Sequence, residues 1–329
     1  MAPAARPLIA SVGAGRMGRG IAHAFAYAGH EVHLLDIKPR PADAFASLQR
    51  EAMAEIEASL GFLADAGLLP REAIATLLAR ITIHPAGAAP AALARCPFVF
   101  EGVPETEAAK RDALAFIDAH APPEAIVAST TSTFLSTLLA GMTQAPARFL
   151  NAHFLNPAYL VPLVEVSPHP GTDPAFTQAL VTLLESAGKV PVVCKASPGY
   201  IVPRIQALAM NESARLVEEG VATAEDVDKA ILYGFGVRFS VLGLVEFIDW
   251  GGGDILYYAS RYLAQATGED RFKAPASVEA NMAAGRIGMK TGQGFYDWHN
   301  RDVDAHRQQR IAAFVALLRH QGQLRPPVL

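Results

Sequence analysis

His153 and Glu165 are the residues of this chain best suited by type and spacing to move a proton. They stand twelve positions apart, in Asn151-Ala152-His153-Phe154-Leu155-Asn156-Pro157 and in Leu163-Val164-Glu165-Val166. A turn between Pro157 and Pro162 brings Glu165 back beside His153 on a neighbouring strand. A carboxylate on one ring nitrogen sets the tautomer and raises the basicity of the other, as abstraction of a hydroxyl proton requires. The same spacing suits a satisfied structural histidine with Glu165 as a solvated strand residue. Ser132, in Thr130-Thr131-Ser132-Thr133, reads either as a ligand for a reacting group or as part of an N-cap cluster for the next helix. Asn156 before Pro157 reads either as a site ligand or as a turn residue.

The elements that must position these groups begin at the N-terminus. An apolar strand, Leu8-Ile9-Ala10-Ser11-Val12, feeds Gly13-Ala14-Gly15-Arg16-Met17-Gly18 and an apolar helical run. The first glycine permits a tight turn, the second lets backbone approach a pyrophosphate, and the third lets helix pack on strand. A second strand, Glu31-Val32-His33-Leu34-Leu35, ends at Asp36, whose carboxylate accepts ribose hydroxyls and repels a 2′-phosphate. The unit predicts NAD rather than NADP, although Lys38 and Arg40 just beyond offer charge to a phosphate. Nicotinamide chemistry then belongs at the carboxyl ends of the strands, where Glu105, Lys110, Ser132, His153 and Asn156 fall.

The 329 residues are 51% hydrophobic and 18% charged with a net charge of −4, a composition for a two-domain globular protein with a large core. No basic cluster with interleaved aromatics points to nucleic acid, and no apolar run reaches membrane-span length. The N-terminus lacks the apolar core of a signal peptide, so a cytoplasmic location is expected. Cys96 and Cys194 form no CxxC and no metal-spaced cluster, and both read as small core residues.

Strands are predicted at 8–12, 31–36, 81–83, 97–102, 126–129, 149–154, 161–167 and 190–194. A helical hairpin broken near Gly61 and Gly67 is predicted at 41–69, with a further helix at 71–80. After Ser197-Pro198-Gly199 the pattern turns helical: 200–218, 224–233, 242–265, 275–284 and 303–319. The fold class expected is α/β, with a Rossmann-type mostly parallel sheet domain at 1–197 and an all-helical domain at 198–329.

In combination these segments resemble the L-3-hydroxyacyl-CoA dehydrogenase family over most of the chain. The resemblance rests on the glycine fingerprint from Gly13 to Ala22, Ser132, His153 through Pro157, Glu165-Val166, Pro198-Gly199-Tyr200 and the run from Lys290 to Tyr296. It implies His153 as general base, Glu165 as its orienting partner, and Ser132 and Asn156 as ligands where substrate meets nicotinamide. It also implies that Gly13, Gly15, Arg16, Met17, Gly18, Asp36, Glu105, Lys110 and Lys290 line the cofactor cleft. The helical domain is implied to form a homodimer and to close over the substrate.

Three departures bear on the substrate. Pro203 stands where the family usually has Asn, removing a side-chain donor, and Asn211 two turns on is the candidate to replace it. Pro162 stands where a Lys is usual. The segment from Tyr233 to Gly243 is longer than in typical acyl-CoA enzymes and resembles the lambda-crystallin branch. Arg238 within it offers a fork for a carboxylate or is a surface residue of an interhelix loop. A short-chain 3-hydroxyacyl-CoA, resembling 3-hydroxybutyryl-CoA, is the first substrate expectation, with CoA received at 41–69, where Ser47, Arg50 and Ser59 lie. A free 3-hydroxy acid of the gulonate or carnitine kind is the alternative. A non-catalytic NAD-binding protein, as in crystallins, is the reading from another class.

Overall fold

The computed structural model describes residues 6–328; residues 1–5, on which part of the signal-peptide reading falls, lie outside them. Eight strands form one sheet: β1 (Ile9–Val12), β2 (Val32–Leu35), β3 (Ile81–His84), β4 (Phe98–Glu101), β5 (Ile126–Ser129), β6 (Phe149–Phe154), β7 (Leu163–Pro168) and β8 (Val190–Val193). Their order is β3-β2-β1-β4-β5-β6-β7-β8. Every neighbouring pair is parallel except β6 with β7. All eight predicted strands are therefore present, in a Rossmann-type arrangement whose order reverses between β1 and β4.

The strands read as continuous apolar runs because both faces of the sheet are covered. Ile9, Leu34, Phe100 and Leu150 face a layer that includes α1 (Arg16–Tyr27) and α2 (Ala42–Asp65). Their chain neighbours Ala10, Leu35, Val99 and Phe149 face the opposite layer, with Leu114 and Ile117 of the helix Glu107–His120. Each fully buried Leu, Ile or Phe stabilises this arrangement by about 1.5–3 kcal/mol.

The hairpin reading of 41–69 needs correction. α2 runs without a break through Gly61, where a Cβ would meet nothing within 4 Å, so the glycine is a tolerated surface position. The helix stops at Gly67 (φ +76), where Leu68 N–H reaches Leu63 O and Gly67 N–H reaches Ala64 O, the two bonds of a Schellman stop. The returning arm is the short helix Ala73–Leu78.

The chain divides into two compact units, Met1–Leu208 and Ala209–Leu329, and the helix Val202–Glu218 runs across the division. Two predicted helices of the second unit are corrected. The helix from Ala224 ends at Ala230 and passes into a wider π turn, Ile231–Gly236; Arg238 then lies in a short helical turn, Val237–Phe239, instead of a loop. The span 242–265 is two helices, Leu244–Gly251 and Gly253–Thr267, separated at Gly252, whose φ of +109 no helix accepts. Within this unit the buried Asp249 carboxylate accepts from Phe295 N–H, Tyr296 N–H and the Trp298 indole at 2.8–2.9 Å. A Cβ on Gly294 would overlap that carboxylate, so the glycine keeps the run from Lys290 to Tyr296 folded onto it. The unit leaves much apolar surface exposed, including Met210, Leu232, Ile255 and Tyr262. No single helix among the described residues is long and apolar enough to cross a membrane.

Candidate active site

A cleft of about 770 Å³ opens at the carboxyl ends of the strands around the β1–β4 reversal, and the residues lining it all belong to the first unit. Its floor is the turn between β1 and α1. Gly13 has φ +106, and a Cβ there would press on Gly102 O. A Cβ on Gly18 would overlap Gly13 O and crowd Leu34. Gly15 meets nothing within 4 Å and caps α1 without a side chain, leaving the first helical N–H groups directed at open space. Two glycines are thus needed for packing, and the third leaves a cradle of the kind a pyrophosphate fills. Arg16 and Met17 also line the cleft. Asp36 follows β2 and is held by Arg40, whose Nε lies 2.6 Å from Oδ2. Arg40 and Lys38 line the same end of the cleft.

At the end of β4 lies a buried charge network. Lys110 donates to both Glu101 carboxylate oxygens at 3.0 Å, Ser129 hydroxyl donates to Oε2 at 2.6 Å, and Val103 N–H to Oε1 at 2.8 Å. The Lys110 ammonium also lies 3.6 Å from Glu105. Glu105 in turn accepts from Thr131 hydroxyl at 2.8 Å, Ser132 N–H at 2.7 Å and Ser132 hydroxyl at 3.2 Å. Burial pushes the Glu105 carboxyl up, but the Ser132 N–H, the Lys110 charge and the two hydroxyls outweigh it and hold it below the ordinary value. Lys110 and Glu105 therefore anchor the loop that carries Ser132. Glu101 was not singled out from sequence, because its role depends on Lys110, nine positions on, which the helix Glu107–His120 brings over it.

The N-cap reading of residues 130–133 does not match the structure. The next helix, Ser136–Ala140, is preceded by Leu135 with no side-chain cap. Thr131 hydroxyl instead accepts from Thr133 N–H and Phe134 N–H and closes a local turn.

His153 and Glu165 are directly opposed in the β6–β7 ladder. Nδ1 of the buried imidazole lies 2.8 Å from Glu165 Oε2. The other oxygen, Oε1, accepts from Ile201 N–H and Val202 N–H, both at 2.8 Å. Two backbone donors hold Oε1, and an ionised, acceptor-only Glu165 is matched by the tautomer of His153 that carries its proton on Nδ1, with Nε2 the ring nitrogen left to accept. Ser132, His153 and Asn156 all line the cleft. Pro203 and Gln206, one helical turn apart, line it as well, and Gln206 is a polar residue that the sequence reading missed. The usable signal was its i+3 spacing from Pro203.

Three expected site residues lie in the second unit. Asn211 is exposed on the helix Val202–Glu218. The Arg238 guanidinium lies over the Phe247 ring at 5.0 Å. Lys290 pairs with Asp254 at 2.7 Å. Among the described residues no three His, Cys, Asp or Glu side chains group as a metal site, and both cysteines are free.

Residues 8–197 match the family model for the 3-hydroxyacyl-CoA dehydrogenase NAD binding domain, and residues 199–298 match that for the C-terminal domain. The chain is 33% identical over 287 residues to a 3-hydroxybutyryl-CoA dehydrogenase of Bradyrhizobium diazoefficiens, covering 87% of this chain and 94% of that one. It is 37% identical over 257 residues to the lambda-crystallin homolog of Bos taurus, covering 77% of each. Among solved structures, a 3-hydroxyacyl-CoA dehydrogenase of Archaeoglobus fulgidus superposes with a TM-score of 0.75 at 29% identity, over 97% of this chain and all of that one. With both family models matched in order along a dinucleotide-binding cleft, this chain belongs to the 3-hydroxyacyl-CoA dehydrogenase family and is an NAD-dependent oxidoreductase.

Proposed function

We propose that the chain interconverts a short-chain L-3-hydroxyacyl-CoA and its 3-ketoacyl-CoA, with His153 as general base. The observation that carries this reading is the Glu165 carboxylate, held by two backbone N–H groups and 2.8 Å from Nδ1 of a cleft-lining His153, a pairing that suits Nε2 to accept a proton. In oxidation His153 takes the proton of the substrate β-hydroxyl through Nε2. Glu165 stabilises the resulting imidazolium and is itself held by the first two N–H groups of the 201–202 segment. Ser132 and Asn156 hold the substrate oxygen at the mouth of the nicotinamide end. Gly13, Gly15, Arg16, Met17 and Gly18 cradle the pyrophosphate, Asp36 takes the adenosine ribose, and Glu105 and Lys110 brace the Ser132 loop. NAD, when bound, supplies the hydride acceptor. In the reverse direction the His153 imidazolium returns its proton to the carbonyl oxygen. Gln206, in place of Asn211, is the amide we assign to the substrate from the helix that begins at Val202. The same reading includes a cytoplasmic homodimer whose contact is the exposed apolar surface of the second unit.

A second reading, a free 3-hydroxy acid, is favoured by the charge of α2. That helix carries Asp43, Glu51, Glu55, Glu57 and Asp65 against one base, Arg50. Ser47 bonds Glu51, and Ser59 is occupied by His23 and Ile56 O. Such a surface gives a polyphosphorylated carrier little to hold. Turnover of acetoacetyl-CoA with NADH, beside free acetoacetate, separates the two. Reaction with the thioester is expected; reaction with free acids alone overturns the first reading in favour of the second.

A further inference from the structure

Tyr200 lies outside the roles given above, yet it stacks on the proposed base and bonds the carbonyl just before Ser132. Its ring stacks on the His153 imidazole at 4.9 Å between centroids and 13° between planes. Its hydroxyl donates to Thr131 O at 2.9 Å and accepts from the Asn151 side-chain amide at 2.9 Å, and that amide also donates to Phe134 O at 2.9 Å. The residue is 7% exposed. Its φ of +45 is the only positive value among the described non-glycine residues, in a region that bulky L side chains rarely adopt. Such an outlier persists only where its surroundings over-determine it, and it clusters at functional sites.

We propose that Tyr200 is a positioning residue for the His153 base, a proposal that rests on the assignment of His153 given above. Two separable actions follow from the geometry. The ring covers one face of the imidazole and leaves rotation about the Glu165 bond with no free volume on that side, so Nε2 keeps its aim. The hydroxyl holds the carbonyl of the peptide whose N–H, that of Ser132, is bound by Glu105 at 2.7 Å. One peptide unit is thus gripped at both ends, and Ser132 is set in register with His153. The two residues after Tyr200 supply the N–H groups that hold Glu165, so a tripeptide places both the base and its carboxylate. The left-handed backbone at Tyr200 is what allows its side chain to lie on His153 while the next two N–H groups turn toward Glu165.

The test uses the full-length protein with Tyr200→Phe and Tyr200→Leu beside His153→Ala, measuring kcat and KM, the pH profile of kcat/KM, NADH affinity by fluorescence and the melting temperature. Tyr200→Phe keeps the stack and loses the anchor of the Ser132 loop: kcat falls roughly three- to tenfold, and the acidic limb of the profile stays in place. Tyr200→Leu loses the stack: kcat/KM falls about a hundredfold, as for a misplaced reacting group, the acidic limb shifts, and NADH affinity holds. A folded Tyr200→Leu with wild-type kcat/KM and an unmoved acidic limb overturns the proposal. So does a loss that NADH affinity shares, since that marks a merely structural residue. If Tyr200→Leu fails to fold, wild-type kcat and KM in Tyr200→Phe overturn the loop anchor and with it the proposal. Retained activity in His153→Ala refutes the base assignment whatever the Tyr200 variants show.

Discussion

Replacing Glu165 by Gln tests the carboxylate at the level of single hydrogen bonds. In the native site Oε1 accepts from Ile201 N–H and Val202 N–H while Oε2 accepts from His153 Nδ1–H. An amide has one accepting end. With its oxygen on the two backbone donors, its NH2 faces Nδ1, the imidazole shifts its proton to Nε2, and the base is lost to the cleft. With its oxygen on His153, the base survives but two part-buried N–H groups face an NH2 and go unpaired. Each such group costs about 1–3 kcal/mol, so the inactive arrangement is favoured by about 2–6 kcal/mol. At about 1.4 kcal/mol per tenfold, the active arrangement falls to between about one part in 30 and one part in 10⁴. Steady-state kcat/KM should fall by that factor with NADH affinity unchanged. A Glu165→Gln enzyme within tenfold of wild type refutes both the tautomer argument and the role of Glu165.

Asp36→Ser should free Arg40, now paired at 2.6 Å, to meet a 2′-phosphate; kcat/KM with NADPH rises at least about tenfold while that with NADH falls, checked by cofactor titration. Gly18→Ala should cost about 1–3 kcal/mol through overlap with Gly13 O and Leu34, lowering the melting temperature and NADH affinity together. Gly61→Ala, on an open helical face, should stabilise by about 0.5–1 kcal/mol in the same melt. His23 is buried between Ser59 and the Tyr159 ring, and burial, aided by the charge of Lys189, pulls its pKa from 6.5 down to about 4. Its folded pKa is the lower one, so the unfolded chain takes the proton first; stability is full above pH 6.5 and is lost as pH falls toward 4. The loss is on the order of 1–3 kcal/mol, and His23→Gln should flatten it in denaturant titrations between those pH values.

The eight strands were legible because both faces of the sheet are buried, which turns each strand into an uninterrupted apolar run such as Phe98-Val99-Phe100. The glycine turn was legible because each glycine answers a different steric demand. The helical half was less so. Gly61 looks like a breaker but lies where a Cβ has free space, whereas Gly252 does break a helix, and the run Gly251-Gly252-Gly253 was a signal that went unused. Glu101 escaped because its importance depends on Lys110, brought over it from the helix Glu107–His120, and Tyr200 was legible only as part of the Pro198-Gly199-Tyr200 segment, its contact with His153 being encoded by no local pattern. The role of Lys290 had come from resemblance, that of Asn211 from the amide lost at Pro203 and that of Arg238 from its guanidinium fork, and each of them lies in the second unit.

The reversal of β7 against β6 has a consequence for how such an enzyme can diverge. The proton-transfer pair rides on one two-stranded ladder, and its alignment is copied from main-chain bonds that do not depend on side-chain identity. A slip of one position in β7 would turn Glu165 to the other face of the sheet and leave His153 without its partner, so the ladder admits no gradual change. Pro203 and Gln206, in contrast, project from a separate helix whose surface can be rewritten residue by residue. On the assignment proposed above, reaction and selectivity lie on different pieces of backbone, one fixed as a unit and the other open to piecemeal revision.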